Sequence, residues 1–134
     1  MVDPTTDQKL AYRLESTKPF KTVVESLERL APEHQFRVLA VHDVQKTLAE
    51  KGFERGPLTI VEVCNASNAH KALQMDINVA LFLPCRFAVY TEGNKTVVAL
   101  SRPTLIADML PEAGLEELAG QVEEMLKKVM QAAV

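Results

Sequence analysis

Hydrophobic and polar positions change period several times along the chain, and each change marks an element. "KLAYRLES" alternates, with Leu10, Tyr12 and Leu14 on one side, and predicts a strand. The period then becomes helical. Thr17 offers an N-cap, Pro19 sits in the first turn, and Phe20, Val23, Val24, Leu27, Leu30 and Ala31 form one stripe that ends before Pro32. "QFRVLAVHDV" returns to alternation, placing Phe36, Val38, Ala40 and His42 on one face and Arg37, Leu39 and Val41 on the other. Asp43 then caps a short helix that closes at Gly52. "PLTIVEVCN" reads as a third strand with Leu58, Ile60, Glu62 and Cys64 on a shared face, and Asn65 or Ser67 starts another short helix.

From Asn78 to Leu100 the pattern is that of a hairpin with long strands, whose "EGNK" tip carries the Gly-Asn pair suited to a tight turn. "RPTLIADMLPEAG" reads as a loop with one helical turn. The last element runs from Leu115 to about Ala132. Leu115, Leu118, Val122, Met125, Leu126, Val129 and Met130 form its apolar stripe, and Glu123 to Lys127 and Glu124 to Lys128 pair at i to i+4. The order is strand, helix, four strands, helix. Two long helices cannot cover both sides of about five strands, so the expected class is α+β: an antiparallel-rich sheet with both helices on one face. No internal repeat interrupts this, and residues 1–134 read as a single domain with a flexible start over residues 1–7.

This architecture raises a burial problem. "VALFLPCRFAVY" and "FRVLAV" are apolar on both sides when read as strands, whereas an uncovered sheet face is expected to be polar. A second subunit, a ligand or the helical insertions must cover it, and the expected solution is a homodimer joined through sheet faces or edges.

Composition narrows the partners. With 134 residues and 47% hydrophobic content the chain can bury a core without metals or disulfides. A net charge of −3 disfavours a phosphate-binding surface, and 5% aromatic residues leave no stripe for stacking bases, so nucleic acid is not expected as a partner. The apolar run from Val79 to Cys85 falls far short of the roughly 20 residues that span a bilayer, and the N-terminus has no secretory pattern. A cytoplasmic protein without membrane contact is expected, with Cys64 and Cys85 as free thiols.

The candidate chemistry lies where the hairpin pattern is broken. Pro84 has no amide hydrogen for a ladder, so inside a strand it marks an edge or bulge that re-aims Cys85 or Arg86. If Cys64, Cys85, Arg86 and His42 converge, with Asn65 and Glu62 beside them, they line a pocket for a small molecule or sulfur species. A thiol near a cation ionises more readily there, which is what thiol exchange needs. Cys64, Cys85 and His42, with Glu62 as a fourth oxygen ligand, also sketch an open site for zinc or another soft metal. The competing reading is structural: buried cysteine behaves as a small apolar side chain, Asn65 serves as a helix cap, and Arg86 pairs with Glu62 or Glu92. Met125 and Met130 read as core filler. No glycine-rich phosphate loop, His-Glu-x-x-His or Gly-x-Ser-x-Gly pattern is present, so no enzyme class is assigned.

"VEVCNASNAHKAL" followed by "LFLPCRFAVY" resembles the domain-of-unknown-function 302 family. The matching positions are Cys64 and Asn65, Ala72 and Leu73, then Pro84, Cys85 and Arg86, with "VHDV" upstream bringing in His42. The similarity covers roughly residues 8 to 103. It implies a small α+β fold, often dimeric, without an agreed activity. The functional expectation is therefore a ligand-binding or thiol-dependent accessory protein. Its alternatives are a non-catalytic structural module dimerising through its sheet, or a weak metal-dependent enzyme.

Overall fold

Five antiparallel strands in the order β1-β5-β4-β3-β2 form the sheet of the computed structural model, which describes residues 3–134. They are β1 (Ala11–Ser16), β2 (Arg37–Asp43), β3 (Leu58–Cys64), β4 (Cys85–Glu92) and β5 (Lys95–Ser101). The two long helices, α2 (Phe20–Glu33) and α6 (Glu116–Ala133), lie on one face. Helix α2 packs over β2, β3 and β4, while α6 packs over β1 and β5. Alternation explains the choice of face: Val61, Val63, Phe87, Val89, Val98 and Leu100 all point toward the helices and are buried with Val23, Leu27, Leu126 and Met130. The α+β class and the helical layer agree with the sequence pattern.

Shorter helices are α1 (Pro4–Leu10), α3 (Val44–Ala49), α4 (Ala66–Met75) and α5 (Pro103–Met109). Of the flexible start expected over residues 1–7, residues 1 and 2 lie outside the described residues, and Pro4 onward forms α1. Asp3 caps this helix by accepting from the Thr5 amide at 2.7 Å. Helix α2 runs past its expected end, through Pro32 to Glu33. Proline is tolerated there because it occupies the final turn, and the helix then stops in a Schellman motif: the Phe36 amide donates to Ala31 O at 2.9 Å and the Gln35 amide to Pro32 O at 3.0 Å. Gln35 holds the left-handed position, at φ 68°.

Two departures change the reading of the sheet. In β2 the register shifts between Val38 and Ala40, leaving Leu39 as a bulge. Regular alternation therefore fails: Val38 and Val41 pair with Val63 and Val61 on the helix side, and Ala40 and His42 lie on the other. The second departure removes the long hairpin strand. Ile77–Leu81 is a 3₁₀ turn, the Leu83–Pro84 peptide is cis, and β4 begins only at Cys85. Pro84 thus precedes the strand and creates no bulge within it. Cys85 keeps the regular pleat, on the same side as Phe87 and Val89, opposite Val63.

The uncovered sheet face is mixed. It presents Arg13, Glu15, Glu62, Arg86, Tyr90, Lys95 and His42, but also Ala40, Ala88, Ala99 and the larger apolar side chains of Leu58, Ile60 and Val97. Part of the apolar run that seemed to need a cover leaves the sheet altogether. Val79 enters a second, smaller core with Ala107, Leu115 and Ala119, built from α4, the 3₁₀ turn, α5 and the start of α6.

Candidate functional site

A cavity of about 60 Å³ lies at the seam between the two cores, partly open to solvent. Two helices wall it with stripes at i, i+3, i+4 and i+7: Asn65, Asn68, Ala69 and Ala72 from the α4 end, and Leu115, Leu118, Ala119 and Val122 from α6. The hollow exists because three of these positions are alanine, too short to fill the gap where the helices approach. Val63, Cys64 and Cys85 contribute the sheet side, and Leu83 and Val79 close the far end. No charged side chain lines it.

Both cysteines are among the residues lining this cavity, and both are free thiols. The register orients them differently. Cys85 pairs with Val63 on the helix side, whereas Cys64 alternates with Ile60 and Glu62 and reaches the cavity wall only because β3 ends there and the chain turns into α4. Burial pushes the Cys85 thiol up to about 11; Cys64 adds to the effect and the Arg86 guanidinium opposes it weakly. Cys85 is held as a neutral thiol, and the nearby cation does not activate it.

Asn65 builds the corner. Its side-chain oxygen caps α4 by accepting from the Asn68 amide at 3.0 Å, and its Nδ2 donates to Gln35 O at 3.2 Å. Both ends of the amide are engaged, which fixes the turn carrying Cys64. The Asn68 side chain donates only to a thioether, Met125 Sδ at 4.0 Å, so it is the cavity's one adaptable polar group.

The remaining expected site residues lie elsewhere. His42 Nε2 is 2.5 Å from Glu62 Oε1, and Arg86 Nε is 3.4 Å from Glu62 Oε2, in a row across β2, β3 and β4 on the uncovered face. The hydrogen bond from His42 lowers the Glu62 carboxyl below its ordinary value, burial opposing and Arg86 assisting. The expected pocket thus divides into two groups: Cys64, Asn65 and Cys85 among the cavity-lining residues at the strand ends, and His42, Glu62 and Arg86 in their own row on the uncovered face. The imagined zinc set of Cys64, Cys85, His42 and Glu62 does not assemble. Among the described residues, no group of three or more His, Cys, Asp or Glu side chains is placed to hold a metal ion.

Glu123 pairs with Lys127 as its i to i+4 spacing predicts, but it is also buried and makes further contacts. Arg102 donates to it through Nη2 at 3.0 Å and Nε at 3.3 Å, Thr104 through Oγ1 at 2.7 Å and its amide at 3.3 Å, and Lys127 Nζ lies 3.4 Å away. Burial raises the carboxyl, and the Arg102 and Thr104 hydrogen bonds outweigh it, so Glu123 titrates below its ordinary range. The network locks α5 onto α6 and so fixes one wall of the cavity. The sequence held a signal for this, since Glu123 is collinear with Ala119, Leu126 and Met130, all buried.

The model of the family described as Domain of unknown function DUF302 matches residues 12–133. The chain belongs to the DUF302 family. A crystal structure of an uncharacterized conserved DUF302 protein from Bacillus stearothermophilus superposes with a TM-score of 0.88 at 29% identity, covering 93% of this chain and 98% of that one. No curated protein matches. Among the described residues of this DUF302 protein, no helix is long and apolar enough to cross a membrane.

Proposed function

We propose that this DUF302 protein binds a small molecule in the cavity lined by Cys64 and Cys85, and that the cysteines act there as soft, neutral contacts. The observation that carries this reading is that both cysteines are among the residues lining one uncharged hollow at the seam between the cores. Its lining favours an uncharged, largely apolar ligand, since a charged one would be desolvated without a partner. Its size favours a small one: engineered cavities that hold benzene measure about 150 Å³, against about 60 Å³ here. Binding is preferred to catalysis because the Cys85 thiol stays protonated and the imidazole of His42 lies across the sheet.

Xenon and propane-1-thiol are suitable uncharged probes, followed by amide chemical shifts. The reading expects saturable shifts clustered at Ala69, Ala72, Leu83 and Val122, together with slower alkylation of Cys85 in the presence of propane-1-thiol. Shifts that stay linear with concentration and spread over the surface would refute it.

A further inference from the structure

The two outer strands of the sheet differ in a way that decides where another chain can add. Strand β2 is broken by the bulge at Leu39. Strand β1 carries no bulge, proline or glycine, and keeps an unbroken register with β5 over six pairs, from Ala11 opposite Ser101 to Ser16 opposite Thr96. Its other side meets no strand. One hydrogen bond fixes the parity of its backbone groups. The Arg102 amide donates to Leu10 O at 2.9 Å, directly opposite in the same register, so Tyr12, Leu14 and Ser16 turn their amides and carbonyls toward β5. Ala11, Arg13 and Glu15 turn theirs outward. Helix α1 takes the Ala11 amide through Asp7 O, while among the described residues no hydrogen bond uses the outward amides of Arg13 and Glu15.

A second copy can add antiparallel to β1 only where outward-facing residues meet each other, which leaves few registers. Arg13 opposite Arg13, or Glu15 opposite Glu15, sets like charges together on the uncovered side of the sheet. Registers shifted further run onto α1 at one end or Pro19 at the other. Arg13 opposite Glu15 sets opposite charges together, twice by symmetry, and brings Leu14 against Leu14 at the twofold axis on the helix side. The Arg13 and Glu15 side chains are 38% and 62% exposed, so both reach a neighbour. Arg13 already pairs with Asp7 and keeps donors for a second carboxylate.

We propose that two copies of this chain join edge to edge through β1, with Arg13 of each opposite Glu15 of the other, in one continuous sheet. Each Arg13 and Glu15 pair exchanges two backbone hydrogen bonds. Because both copies use the same edge, the contact closes on itself, and the bulged β2 strands end the sheet on either side. The pairing does not depend on what the cavity holds.

The test is sedimentation velocity of the full-length protein over a concentration series, with amide exchange measured on the same samples. The expected result is a monomer–dimer equilibrium without larger species, and protection of the Arg13 and Glu15 amides that is lost on dilution. Glu15→Pro removes an amide that β5 does not use, and should give a monomer whose circular dichroism matches wild type. Arg13→Glu and Glu15→Arg should each weaken association about tenfold, and the double variant Arg13→Glu/Glu15→Arg should restore it to within about threefold. That rescue keeps the test decisive where the proline variant does not fold. With Cys64 and Cys85 replaced by serine, Leu14→Cys should crosslink two chains under diamide, and Tyr12→Cys should not. A protein that stays monomeric at every concentration would overturn the proposal. So would a dimer that is unchanged by Glu15→Pro and by charge reversal, or one that crosslinks as readily through Tyr12→Cys as through Leu14→Cys.

Discussion

The protonation state of Cys85 is open to direct measurement, with Cys64→Ser used to isolate a single thiol. Burial is the main cause of the upward shift and Cys64 only a lesser one, so the variant keeps most of the effect. A value near 11 leaves about one thiol in a thousand ionised at pH 8, roughly a hundredfold fewer than for an unperturbed thiol. The rate penalty is smaller, because a more basic thiolate is also a better nucleophile; a Brønsted slope of about 0.4–0.5 returns nearly tenfold. Absolute rate is therefore a poor discriminator, and the shape of the pH profile is a good one. Iodoacetamide alkylation, followed by mass spectrometry, should rise about tenfold per pH unit from pH 7 to about 10 with no plateau, whereas an ordinary thiol levels off near its own pKa. A plateau at or below pH 9 would refute the claim that apolar burial controls this thiol, and would return Cys85 to the list of candidate nucleophiles.

Three further outcomes follow from the geometry. Glu123→Ala removes the acceptor for Arg102 and Thr104 and should destabilise the fold by about 2–4 kcal/mol in urea unfolding; because Glu123 titrates below its unfolded value, its contribution is present above pH ~4.5 and is lost as pH falls through the lowered folded pKa, so acid unfolding of the wild type should steepen there and that of the variant should not. Gln35→Gly relieves a left-handed residue at the end of α2 and should raise stability by about 1 kcal/mol, read as a higher melting temperature. Ala72→Val adds two methyl groups toward the hollow; it should leave stability within about 1 kcal/mol of wild type, since a void is being filled, yet abolish the saturable xenon shifts.

Most of the fold was legible because its period signals are strong. The stripes from Phe20 to Ala31 and from Leu115 to Met130 were long enough to fix both helices and, by their number, the one-sided layer. The failures sit where a single residue shifts the period. Leu39 reverses the faces of β2 without any Gly or Pro to announce it, because a bulge is selected by the pairing partner rather than by local propensity. The run before Pro84 was misread because a short apolar segment fits a strand and a buried turn equally well, and only the second core, distant in sequence, decides between them. At the site, Cys64, Asn65 and Cys85 were found together because strand ends bring them there. His42, Glu62 and Arg86 form a separate row across β2, β3 and β4, because His42 and Glu62 bond each other and Arg86 alternates away from Cys85. The burial of Glu123 was missed because its partners Arg102 and Thr104 lie on a segment distant in sequence that the pattern reads as a loop.

The bulge at Leu39 also bears on how the molecule behaves at high concentration. Strand β2 is the last of the sheet, and a flat terminal strand would offer its unpaired amides and carbonyls as a template for other chains. An extra residue in the middle of that strand, with its side chain half exposed to solvent, breaks the spacing such a template needs. The device that obscured the alternation therefore doubles as protection against runaway strand addition.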